Sequence, residues 1–134
     1  TVEAKETAVK SSLRTMRSQI EMYKMQHNNP PGYVSGNPST MTTFLKNQLV
    51  GTSNIAGVSS AAAVPSTTYP FGPYLQEIPA NPFNNLSTFK IFTTDTDFSA
   101  VADGTTGWLY KTLTAEIRLN YTEADDAGTN YYDY

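Results

Sequence analysis

Residues 1–27 read TVEAKETAVKSSLRTMRSQIEMYKMQH, and the rest of the chain is organised around them. Apolar residues fall at Val2, Val9, Leu13, Met16, Ile20 and Tyr23, recurring from Val9 onward at steps of four, three, four and three. That period puts them on one stripe of an α-helix, with Glu3, Lys10, Arg14, Arg17, Glu21 and Lys24 mostly on the other faces. No Gly or Pro interrupts the stretch, and both arrive directly after it in Asn28-Asn29-Pro30-Pro31-Gly32. Pro30 disfavours helical geometry at the residue before it, so the helix is predicted to stop near His27. At about 1.5 Å per residue the rod is about 40 Å long. Thr1 and Glu3 make an acceptable start, but no hydrophobic staple or full capping box precedes the periodic run. The first residue therefore reads as a cut through a longer helix.

A chain of 134 residues suits one domain with one core. Only 16% of residues are charged, and Ser, Thr, Asn, Gly and Pro make up the balance, which predicts long ordered loops. Nine tyrosines among 12% aromatic residues argue against disorder. The net charge of −3 divides into +2 over residues 1–27 and −5 over the remainder. A mildly acidic remainder argues against nucleic-acid binding, which needs clustered Lys and Arg. There is no cysteine, so neither disulfides nor thiolate chemistry is available. No apolar run approaches the roughly 18 residues of a membrane span.

Beyond the rod, residues 28–38 form a turn-rich connector. Ser39 or Thr40 is expected to cap a short second helix whose apolar face holds Met41, Phe44, Leu45, Gln48 and Leu49, with Gly51 as its stop. Residues 52–68 are small and aperiodic and read as an ordered surface loop, with a short helix at 59–64 as the alternative. Residues 69–83 carry prolines 70, 73, 79 and 82 among Tyr69, Phe71, Tyr74, Leu75, Ile78 and Phe83. This mixture reads as a rigid loop packed over a hydrophobic surface more than as an extended partner ligand. Strands are predicted at 88–94, 107–112 and 115–121, the last two as a hairpin, in an antiparallel sheet of about three strands. The sheet needs a cover, and the long helix has the only large apolar stripe, so the fold class is α+β with Val9, Leu13, Met16, Ile20 and Tyr23 packed on the sheet. The chain divides into 1–27 (helix), 28–87 (connecting region), 88–121 (sheet) and 122–134 (an acidic, Tyr-rich tail that frays or folds back).

Little catalytic chemistry is visible. His27 is the single histidine, at a helix C-terminus where a capping or surface role is expected. No GxSxG, P-loop or GxGxxG motif occurs. No cofactor or metal is assigned. The calcium candidates are Asp95, Asp97 and Asp103, then Asp125, Asp126 and Asp133, but EF-hand spacing is absent and solvated loop carboxylates are the preferred reading. The sequons at Asn85-Leu86-Ser87 and Asn120-Tyr121-Thr122 read as surface polarity.

Several of these motifs, in this order, resemble the type IV pilin superfamily, most closely the major pseudopilins of type II secretion systems. The carrying residues are Ile20-Glu21-Met22-Tyr23-Lys24 at the end of the helix, then Pro31-Gly32-Tyr33. Gly72-Pro73-Tyr74-Leu75 with Ile78-Pro79 and Asn81-Pro82-Phe83 is the most specific segment, and Gly107-Trp108-Leu109-Tyr110 with Glu116-Ile117-Arg118-Leu119-Asn120 is similar to the terminal hairpin. The resemblance implies a fibre subunit with a processed, methylated N-terminus and an apolar helical half that anchors it in the bacterial inner membrane. Subunits would pack their helices at the fibre centre, in the periplasm or at the cell surface, with no enzymatic role. Major pseudopilins carry a calcium site in the C-terminal loops, which Asp95–Asp103 and Asp125–Asp126 match only loosely. The insertion at 52–68 and the tail after Asn120 depart from the compact family pattern. The alternative is a minor pilin or adhesin-type module presenting its aromatic-rich loops.

The helix-on-sheet packing predicts that Ile20→Asp unfolds the domain, since an unpaired buried charge costs several kcal/mol. An unchanged melting curve would reject it.

Overall fold

A computed structural model describes residues 1–134. Helix α1 spans Val2–Gln26, with the Thr1 hydroxyl accepting the Ala4 N–H at 3.1 Å and His27 as the C-terminal cap. Its buried residues are Val9, Leu13, Met16, Ile20 and Tyr23. Strands β1 (Tyr33–Val34) and β2 (Asn37–Pro38) make a small ribbon in the connector. Helix α2 spans Thr42–Val50, followed by a second ribbon of β3 (Thr52–Ser53) and β4 (Ser59–Ser60). The main sheet contains β5 (Phe89–Phe92), β6 (Trp108–Lys111) and β7 (Glu116–Leu119), with the short helix α3 (Phe98–Val101) between β5 and β6. No helix is long and apolar enough to cross a membrane.

The class is α+β, with α1 laid against β7 and one face of the sheet. Residues of a strand alternate between faces. Phe89, Trp108, Tyr110, Ile117 and Leu119 accordingly share one core with Val9, Leu13, Met16 and Ile20. The opposite face is covered too. Phe98 of α3 meets Phe92 edge-on, and the Lys111 ammonium and Arg118 guanidinium lie over its ring.

The pairing of β5 differs from expectation. β6 and β7 form the predicted antiparallel hairpin, but β5 runs parallel to β6, Phe89 opposite Trp108. A tight turn forces antiparallel pairing, whereas a long connection leaves direction free. Residues 93–107 are such a connection, crossing the sheet face with Phe98 as their apolar anchor.

One further expectation changes, and two open alternatives are resolved. The α2 N-cap is Met41, with no side-chain cap, because the Ser39 hydroxyl is spent accepting the Met41 N–H in a local turn. Met41 is 55% exposed, and the buried face is Leu45, Gln48 and Leu49. Residues 52–68 contain the β3–β4 ribbon and then bends, with no helix at 59–64. The ribbon turns through Gly57, whose φ of +84° suits glycine and where a Cβ would strike the Tyr33 carbonyl oxygen. The tail folds back, burying Tyr131 and placing the Tyr134 hydroxyl 2.9 Å from Glu6 and 2.7 Å from Asp125.

Candidate functional site

α1 carries three lanes. The inner lane is the buried stripe. About 150° round the helix from it run Ala4, Ala8, Ser11, Thr15, Ser18, Met22 and Met25, at alternating steps of four and three, and every one of them is exposed. A one-sided surface helix normally turns its charges outward. Here the outward lane has none, and Met25 stands 80% exposed at its end. The charges occupy a third lane on one flank: Glu3, Glu6, Lys10, Arg14, Arg17, Glu21 and Lys24, again three and four apart. Lys5 alone lies elsewhere, with its ammonium over the Phe83 ring. All the charged residues of α1 except Lys5 thus sit on one flank, which leaves the outer lane uncharged. A second heptad pattern among small residues was the signal that would have found it.

The C-terminal end of α1 is locked by an aromatic knot. The His27 ring stacks on Tyr23 with centroids 3.6 Å apart, and Phe71 and Tyr74 pack around the pair. His27 is buried, which corrects the surface alternative for this residue, although its backbone does cap the helix. Nδ1 lies 2.8 Å from the Tyr23 carbonyl, which can only accept, so Nδ1 carries the proton and Nε2 accepts from the Ser53 hydroxyl at 2.7 Å. Ser53 is fully buried and its backbone is bridged to Phe71, so this Ser–His pair does not present its hydroxyl to solvent. Burial pushes the Tyr74 phenol up to about 12 and that of Tyr23 well above its ordinary value.

The acidic candidates disperse. Asp95 pairs with Lys111 and Asp103 with Lys90, each at 2.8 Å. Lys90, helped by the Thr105 N–H and the Asn120 amide, holds the Asp103 carboxyl well below the usual range. Asp97 takes the N-cap position of α3 without a side-chain bond. Asp125 accepts from the Tyr134 hydroxyl and two backbone N–H groups of its own turn, while Asp133 lies 3.8 Å from Arg118. No group of three or more His, Cys, Asp or Glu side chains comes together as a metal site.

Two polar residues matter more than their sequence context suggests. Asn120 is fully buried, so the sequon reading as surface polarity fails for it. Its amide accepts from the Asp103 and Gly104 N–H groups and donates to Asp103 and Thr106. Gln48 accepts from the Gly32 N–H and donates to the Tyr33 and Gly57 carbonyls, joining the connector and the β3–β4 turn from the interior.

Comparisons with descriptions of protein families, with curated proteins and with solved structures give no match for this chain.

The knot makes stability depend on pH. Burial pulls the His27 imidazole below its ordinary 6.5, the Tyr23 carbonyl opposing the shift only in part. Just below that pH the unfolded chain binds more protons than the native one, so stability rises with pH. Urea titrations are expected to show unfolding free energy falling from about pH 7 to about pH 5.5, with His27→Gln flattening this segment. An identical slope in the variant would contradict the assignment.

Proposed function

We propose that this chain is a structural subunit of a pilin-like fibre, of the kind formed by type II secretion pseudopili and type IV pili, and that it polymerises through α1. The observation that carries the reading is the pair of opposed lanes on one rod. The inner lane is consumed by the domain's own sheet, and the outer lane offers a charge-free surface along the whole helix. Small side chains let a neighbouring helix approach closely, and the exposed methionines supply adaptable apolar contacts. The first two turns add to this, since no side chain before Val9 is buried and Val2 is 53% exposed.

The motif resemblance supports the same reading. Its most specific segment is structurally central: Leu75 and Ile78 enter the core, and the Trp108 indole N–H donates to the Pro79 carbonyl at 2.7 Å. Partners on this reading are further copies and other pilin-like subunits, and the membrane contact belongs to an apolar helical segment N-terminal to α1. The adhesin alternative gains no support from the aromatic loops. Phe71 and Tyr74 pack into the knot, and Phe83 stacks on Tyr121 and packs at a tilt against Tyr131.

The test is the coding sequence upstream of Thr1. The reading expects about 20 apolar residues continuing the helix, preceded by a short basic leader, and antibodies to this domain that decorate surface or periplasmic fibres. A polar upstream sequence, or fibres that carry no label, would overturn it.

A further inference from the structure

From Glu3 to Arg17 the charged lane of α1 is ordered by sign, two acidic residues followed by three basic ones. Glu3, Glu6, Asp125 and Asp126 border one shallow depression at the start of the rod, with Lys10 as the one cation at its edge. Lys10, Arg14 and Arg17 border the next depression along it, beside Leu13 and Tyr134. Nine of the other ionic groups are paired, and Lys46, Glu77, Asp97 and Glu123 are not. Lys24 pairs with Glu21, Lys90 with Asp103, Lys111 with Asp95, and Arg118 with Glu116 and Asp133. Within the lane several groups also have internal partners. Glu6 and Asp125 share the single Tyr134 hydroxyl proton, Lys10 lies over its ring, and Arg17 donates to the Ile117 carbonyl. Glu3, Asp126 and Arg14 have none: they are exposed and take part in no ion pair or side-chain hydrogen bond.

We propose that this flank is the interface with a second copy of the chain, and that its charge order sets the axial register between copies. Glu3 and Asp126 of one copy meet Arg14 of the next, displaced along the rod by the span from Glu3 to Arg14, about 16 Å at the α-helical rise. A polyanion would find Arg14 but be repelled by the four carboxylates close by. A polycation would meet the reverse problem. Only a partner with the same dipolar order satisfies both ends, and this chain carries that order itself. An antiparallel pair would also match the charges, but it satisfies both patches at once and closes as a dimer. The displaced, parallel arrangement leaves one free acidic and one free basic patch at its ends, so it continues. The choice between these two rests on the fibre reading above.

The absence of native cysteine permits a direct test in the 134-residue chain. Ala4→Cys and Thr15→Cys flank Glu3 and Arg14 without removing either charge, and both positions are exposed. At high protein concentration and low salt, a flexible bis-maleimide is expected to link an Ala4→Cys chain to a Thr15→Cys chain. The double variant should give a ladder of trimers and larger species. Adding Arg14→Glu should lower the yield about tenfold, and Glu3→Arg with Asp126→Arg in the partner should restore it, because the charges are exchanged and not lost. A ladder that ends at the dimer overturns the displaced arrangement. A yield no higher than that of a Glu77→Cys control, or one indifferent to Arg14→Glu, overturns the register itself. If neither pair links while Ala8→Cys and Ser18→Cys chains still form ladders, the fibre reading stands and this inference falls. If no pair links, both fall.

Discussion

The structure depends on one contact surface, where Leu13, Met16 and Ile20 of α1 meet Trp108, Tyr110, Ile117 and Leu119 of the sheet. Neither side is stable alone. A single helix is marginal in water without tertiary packing, and a short three-stranded sheet needs a cover for its apolar face. Fully burying a Leu, Ile or Met contributes about 1.5–3 kcal/mol, so these few side chains outweigh the surface ion pairs, whose median worth is about 0–1 kcal/mol each. Arg17 seals the junction by donating to the Ile117 carbonyl on the outer edge of β7, a backbone group that no strand pairs.

Around this contact the long loops are held by buried polar groups. The Asn81 amide donates to the Gly107 carbonyl, and the Tyr110 hydroxyl to the Pro31 carbonyl, tying the Pro-rich segment and the connector to the same hairpin. Gly107 permits this because a side chain there would strike the Leu86 carbonyl. Such bonds are worth little net when made and cost much more when one partner is removed. That asymmetry gives a loop-rich chain a single arrangement.

What could be read in advance follows from the range of the interactions. The inner lane of α1, its stop at His27 and the β6–β7 hairpin are local patterns of period and turn, and they were legible. The direction of β5 was not, because it depends on how residues 93–107 route and on Phe98 finding the far face of the sheet. The position of Gln48 on the inner face of α2 was legible from spacing, but its loop partners were not, and Asn120 reads as surface polarity because nothing in its neighbourhood shows that distant loops will enclose it. The outer lane was legible in principle. Its small residues carry no hydropathy signal, and only their spacing and lack of charge set them apart.

α1 thus presents three surfaces with separate uses: one greasy and buried, one uncharged and open, one ordered by sign. The first is the premise of the other two, since only a rod fixed to the sheet offers the rest of its surface in a defined orientation. Native-state hydrogen exchange tests that premise most directly. Amides of α1 between Leu13 and Tyr23 should open together with those of β6 and β7, at the free energy of global unfolding, while those of residues 2–8 exchange far sooner. Exchange of Leu13–Tyr23 at a lower free energy than the sheet would show that the helix detaches by itself, and would contradict the account.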